Sequence, residues 1–129
     1  VLSAFGEPGL PLAERLRNGI GRHFDFVAEN PDLPRFIVNE VFARPERYEL
    51  MRRRIGPLAG SLMREMQQEL EPIDARMLLL DIISINVFPF LAYPLIGPLL
   101  GDLAADRETF FARRRAEHIE VILRRLNIH

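Results

Sequence analysis

A chain of 129 residues is long enough for one domain with a real core. Its 48% hydrophobic and 27% charged residues are ordinary for a soluble globular domain, and a formal net charge of −1 excludes the electrostatic footprint of a self-sufficient nucleic-acid binder. The absence of cysteine excludes disulfides and thiolate zinc sites and permits folding in a reducing compartment, so a cytoplasmic location is expected.

The hydrophobic pattern is helical almost throughout. There is no sustained two-residue alternation and no Asn-Gly or Asp-Gly hairpin signal, so an all-α, multi-helix bundle in a single domain over residues 1–129 is expected. Residues 1–11 form an expected connecting loop, with Gly6, Pro8, Gly9 and Pro11 as breakers and no resemblance to a signal peptide. From Leu12 to about Glu29, Leu12, Leu16, Ile20, Phe24 and Val27 recur at helical spacing. Pro31 disfavours a helical Asn30 and ends that helix. Asp32 is an expected N-cap for a short helix over LPRFIVNEVFA.

Pro45 suits the first turn of the next helix, with Glu46 near its positive end. That helix carries Met51, Ile55, Leu58, Leu62 and Met66 as an expected buried stripe. Pro57 lies inside it and should kink or split it near Arg53–Gly56. Asp74 should cap a helix from Ala75 to about Phe90 that is apolar nearly all round. A last helix is expected from about Asp106 to Asn127.

The uncharged run Ile82–Gly101 is about as long as a bilayer span. Pro89, Pro94 and Pro98 interrupt it, Asp81 and Asp102 bracket it, and no Arg anchors either edge, so no membrane span is expected. The expected alternative is a buried helix to Phe90 followed by a proline-broken apolar connection. A helix apolar on all sides must be covered on all sides. One face can meet its own core, and the other then needs a partner chain or a ligand cavity.

Residues that could carry chemistry are few. His23, His118 and His129 are the only histidines, and no HExxH motif or Glu-x-x-His pair is present, so no metal and no cofactor are expected. His118 is expected as a surface or interfacial imidazole bonded to a neighbouring carboxylate. Ser61 and Ser84 lack a nucleophile-elbow context, and no catalytic constellation is found, so an enzyme is not expected. Arg52–Arg54 and Arg113–Arg115 fan out around their helices and are expected to pair with Glu46, Glu49, Glu117 and Glu120. Asp81, Ser84 and Asn86 are the polar exceptions on the apolar helix, and Asn86 is the one expected to face a pocket or an interface.

The segment FDFVAENPDLPRFIVNEVFARPE resembles the TetR family of bacterial transcriptional regulators, in its C-terminal ligand-binding and dimerisation domain. Phe26, Asn30, Pro31, Leu33, Phe36 and Glu40 carry the resemblance. The long proline-containing helix, MLLLDIISINVFPF and the closing FFARRRAEHIEVILRRL follow in the family's order. The resemblance runs from about Leu12 to Leu126. No helix-turn-helix segment is found in the chain, so operator DNA is expected only through an N-terminal domain that this sequence does not contain.

The resemblance implies a homodimer built from the last two long helices, with Val87, Phe111, His118, Ile119, Ile122 and Leu126 as contacts. It also implies a pocket for a hydrophobic or amphipathic small molecule beside the Pro57 helix. The expected lining is Phe24, Phe36, Asn39, Glu40, Leu58, Leu62, Asn86, Phe90 and Tyr93. Glu40 has a structural alternative as the partner of an Arg. The alternative for the whole chain is a homodimeric interaction module with no small-molecule ligand.

Overall fold

In the computed structural model, which describes residues 2–127, the described residues form helices and connecting turns with no strand. Five α-helices follow in order: α1 (Leu12–Glu29), α2 (Leu33–Phe36), α3 (Pro45–Leu70), α4 (Ala75–Ile96) and α5 (Arg107–Arg125). A 3-10 helix, Leu2–Gly6, precedes α1. A π-helical turn, Ile37–Val41, continues α2, and a 3-10 segment, Gly97–Ala104, links α4 to α5.

Local signals place most of these boundaries. Pro11 and Asn30 flank α1, and Pro45 occupies the first turn of α3, where its missing N–H has no intrahelical role. The Asp74 carboxylate accepts from the Arg76 N–H at 2.9 Å and caps α4 as expected. Asp32 makes no such bond at the start of α2. Gln67 fastens the α3–α4 turn, donating to the Ile73 carbonyl at 2.8 Å and accepting from the Ala75 N–H at 2.7 Å. Gly101 has φ +59°, a positive-φ conformation that favours glycine, and kinks the chain inside Gly97–Ala104.

Four expectations need correction. Leu2–Gly6 is not loop: Ala4 and Phe5 are buried, and the Phe5 ring lies over Gly19 of α1 where a Cβ would sit 2.4 Å from it. α3 is not split at Pro57 but runs on as one helix, because Pro57 is exposed and water can serve the carbonyl that loses its donor. The α3 stripe is buried only at its C-terminal end, at Met66 and Leu70. At about 39 Å, α3 outreaches its neighbours, and Leu58 is 69% exposed. α4 continues through Pro89 and Pro94 to Ile96 rather than stopping near Phe90. Two lost backbone bonds are outweighed there by packing against α1 and α5.

α1 is the central helix, covered by Leu2–Gly6, α4 and α5. Leu16, Ile20, Leu78, Ile82, Ile122 and Phe5 form the centre of one core cluster, which Met66 and Leu70 of α3 close. A second cluster, Phe24, Val27, Phe90 and Phe111, lies toward the other end of α1. Ala75–Ala104 is the one stretch among the described residues long and apolar enough to cross a bilayer, with mean hydropathy 1.8. Its inward residues belong to these clusters, and its outward ones are exposed.

Candidate functional site

The most buried polar groups are Asn86 and His118, at 0% and 1% exposure. α4 turns Asn86 to the same side as Leu78, Ile82 and Phe90, so its amide enters the bundle with them. Asn86 Nδ2 donates to the Ile20 carbonyl of α1 at 3.1 Å and to His23 Nδ1 at 3.0 Å. Asn86 Oδ1 lies 2.9 Å from His118 Nδ1 on α5. Arg114 Nε donates to His118 Nε2 at 3.1 Å, and Arg114 Nη1 donates to Glu117 Oε2 at 2.9 Å.

The direction of every bond in this chain is determined. Arginine is only a donor, so His118 Nε2 must accept and the neutral ring carries its proton on Nδ1. That proton is given to Asn86 Oδ1. The amide then presents both N–H groups, one to Ile20 and one to His23 Nδ1, leaving the His23 proton on Nε2. Burial first and the Arg114 charge second bring the His118 pKa down to about 4, with the Glu117 charge opposing them. Burial also lowers the pKa of His23.

This corrects two expectations. His118 is not a surface imidazole, and its partners are an amide and a guanidinium rather than a carboxylate. Asn86 faces neither a pocket nor the outside of the bundle. His23 was not among the expected site residues. Its position three residues after Ile20 puts it on the α1 face that meets α4, but only the pairing of the two helices reveals its partner.

Phe24, Phe90 and Tyr93 are brought together, as the expected pocket requires. They fill it instead. Phe90 and Phe111 stack at 4.2 Å with their planes 4° apart, and Phe24 meets Phe90 edge-on at 5.0 Å. The Tyr93 hydroxyl donates to the Ala104 carbonyl at 2.7 Å, and the Arg107 guanidinium lies 4.7 Å from the Tyr93 ring centre.

The remaining expected pocket residues lie elsewhere. Phe36 is 51% exposed and Asn39 is exposed. Glu40 pairs with Arg47 at 3.2 Å and Arg44 at 3.6 Å, which is its structural alternative. Leu58 and Leu62 line an open cleft of about 690 Å³ between Leu2–Gly6 and α3, together with Leu2, Ser3, Gly6, Pro8, Ser61 and Glu65.

Of the residues expected at a dimer interface, Phe111, His118 and Ile122 are buried in the chain's own core and have no surface to offer a partner. Val87, Ile119 and Leu126 are half-buried against that core. The open apolar face of α4 lies on its other side: Met77 is 55% exposed, Leu80 58%, Phe88 58% and Leu95 73%. The Asp81–Arg125 and Asn86–His118 contacts set an antiparallel register between α4 and α5, with Ser84 level with Val121 and Phe88 level with Glu117. The spacing of Met77, Leu80, Ser84 and Phe88 carries this stripe in the sequence, but an all-round apolar helix does not say which stripe points outward.

The arginine runs pair only in part as expected: Glu120 pairs with Arg124 instead, and among the described residues Arg53, Arg54 and Glu46 form no ion pair. Arg52 bonds Glu49 at 2.8 Å, Arg113 and Arg114 share Glu117, and Arg115 instead crosses to Asp25 of α1 at 2.9 and 3.1 Å. The described residues hold no group of three or more His, Asp and Glu side chains able to share a metal ion. His129 lies outside the described residues. Comparison with family models, with characterised proteins and with solved structures finds no match to this chain.

Proposed function

We propose that the chain is the dimerising, effector-sensing domain of a TetR-like regulator, with the outward face of α4 meeting its copy in a second subunit. The observation that carries this reading is the double-sided helix. Leu78, Ile82 and Phe90 pack inward, while Met77, Leu80, Phe88 and Leu95 leave an apolar stripe uncovered. Covering each such side chain contributes about 1.5–3 kcal/mol at most, and a two-fold axis counts every residue twice. The Asp81–Arg125 pair lies at the edge of the stripe and answers its own charges, so the stripe itself carries no lone charge.

The effector reading rests on the cleft beside Leu58 and Leu62. Its lining is mostly apolar with one carboxylate, Glu65, which suits a hydrophobic or amphipathic small molecule. A ligand there would touch Leu2–Gly6, whose Phe5 is seated on α1 at Gly19. Differential binding to two positions of that segment would couple the cleft to whatever precedes it, an N-terminal DNA-binding domain in the family reading.

Sedimentation velocity at micromolar concentration tests the first half. The expected mass is about twice 14.9 kDa, falling to one chain when Leu80→Glu and Phe88→Glu are combined. A wild-type monomer overturns the dimer, and quantitative transfer of the chain into lipid vesicles assigns Ala75–Ala104 to a bilayer instead. A second reading, a homodimeric module with no effector, is favoured by the filled aromatic cluster. Native mass spectrometry of the dimer from its producing cells separates the two, because a retained small molecule requires the sensor.

A further inference from the structure

The hydrogen-bond chain from Arg114 to His23 has one allowed polarity. A proton added at His118 Nε2 would face the Arg114 Nε–H, donor against donor at 3.1 Å. A proton added at His23 Nδ1 would face the Asn86 amide N–H at 3.0 Å. Turning the Asn86 amide over satisfies His23 but sets its N–H against the Nδ1–H of His118. Moving that proton to Nε2 then restores the conflict with Arg114. No rearrangement within the chain accommodates an extra proton.

Nor does a neighbouring carboxylate accept one. α1 presents Asp25, held by Arg115, and the exposed Arg22. α4 presents Asp81, held by Arg125, and α5 presents Glu117, shared by Arg113 and Arg114. The segment Gly97–Ala104 contributes only the exposed Asp102. The apolar groups around the ring include Phe24, edge-on at 5.6 Å. A charged His118 would therefore be buried beside a cation with no anion of its own.

We propose that the Arg114–His118–Asn86–His23 chain is an acid-sensitive clasp: neutral imidazoles hold α1 and α5 against α4, and a proton on either ring releases α5. The clasp stands independently of the dimer. Only its consequence, a loosened helix beside the α4 stripe, rests on the function proposed above.

Nitrogen-detected NMR of the imidazoles in the full chain, from pH 7.5 to pH 4, reads the clasp directly. His118 is expected as the Nδ1–H tautomer and His23 as Nε2–H at neutral pH, with His118 still uncharged well below pH 6.5. Amide exchange across Arg115–Leu123, corrected for intrinsic rate, is expected to rise on the order of 50- to 100-fold between pH 7 and pH 4.5, from the difference between an open-state value of 6.5 and a closed-state value of about 4. His118→Gln should reduce that ratio to a few-fold. Should that variant fail to fold, Arg114→Gln replaces a donor-only group with an amide that can turn its oxygen to a proton on His118 Nε2, and should likewise weaken the acid-induced opening. A His118 ring that carries its proton on Nε2 or titrates near 6.5 overturns the clasp. So does an acid-induced exchange increase that His118→Gln leaves intact.

Discussion

Asn86→Leu removes the one group that touches all three arms of the polar chain and puts a larger, purely apolar side chain of similar branching in its place. The His118 Nδ1–H is left buried without an acceptor, at about 1–3 kcal/mol. The bonds to the Ile20 carbonyl and to His23 are lost as well, at about 1 kcal/mol each, since Ile20 keeps its helical partner and His23 is half-buried. Extra apolar burial at a position with 0% exposure returns at most about 1–2 kcal/mol, an amount that overpacking by the larger Leu reduces. The expected net loss is about 2–3 kcal/mol, or roughly 10 °C in Tm for a chain of this size. Urea unfolding followed by circular dichroism at pH 7.5 and fixed protein concentration measures it as a shift in midpoint at constant slope. Ile83→Ala, one turn away and 40% exposed, is the control and should lose less than about 1 kcal/mol. If Asn86→Leu matches the control or is more stable than the parent, the chain of hydrogen bonds does not hold the bundle together.

Stability should also depend on pH in a defined direction. The unfolded chain binds a proton at His118 below pH 6.5 while the folded chain resists it down to about 4, so stability is complete above 6.5 and falls as pH drops through that window, by up to about 3 kcal/mol. His23 acts in the same direction, whereas Asp74, lowered from 3.8 to about 2 by its Arg76 partner, gives a loss only below that window. A flat urea midpoint between pH 7 and pH 4.5 would contradict the assigned burial of His118. Gly19→Ala should destabilise by about 1–3 kcal/mol, because its Cβ would enter the buried Phe5 ring. Gly21→Ala should be neutral or slightly stabilising, because the atom it meets is the far end of the Arg115 side chain and a helical glycine is replaced. Thermal melts of the two variants side by side check that contrast. Leu78→Ala should cost about 2–5 kcal/mol in chemical denaturation, whereas Leu80→Ala should leave the isolated chain's fold nearly unchanged and act on self-association.

The residues that shape each helix locally were legible in the sequence. Pro11, Asn30–Pro31, Pro45 and Asp74 act within a turn of their own position, so α1 and the starts of α3 and α4 could be placed from them. The inward face of α1 was equally plain, because Leu16, Ile20, Phe24 and Val27 leave a polar side opposite. The prolines were misleading where neighbours decide. Pro57 and Pro89 lose the same backbone bond, and both are carried because the helix around them is held or solvated well enough.

What only the tertiary structure decided is the rotation of α4 about its axis. A helix apolar on every side offers many equivalent stripes, and nothing local distinguishes Leu78 from Leu80. Packing α1 and α5 onto one side fixed that choice. It drew Asn86 inward to His118 and His23, residues 32 and 63 positions away in the chain, and turned Phe88 outward. The cause is physical: a buried amide must find partners for each of its hydrogens, and that requirement is met only by groups on other helices once all three are in contact.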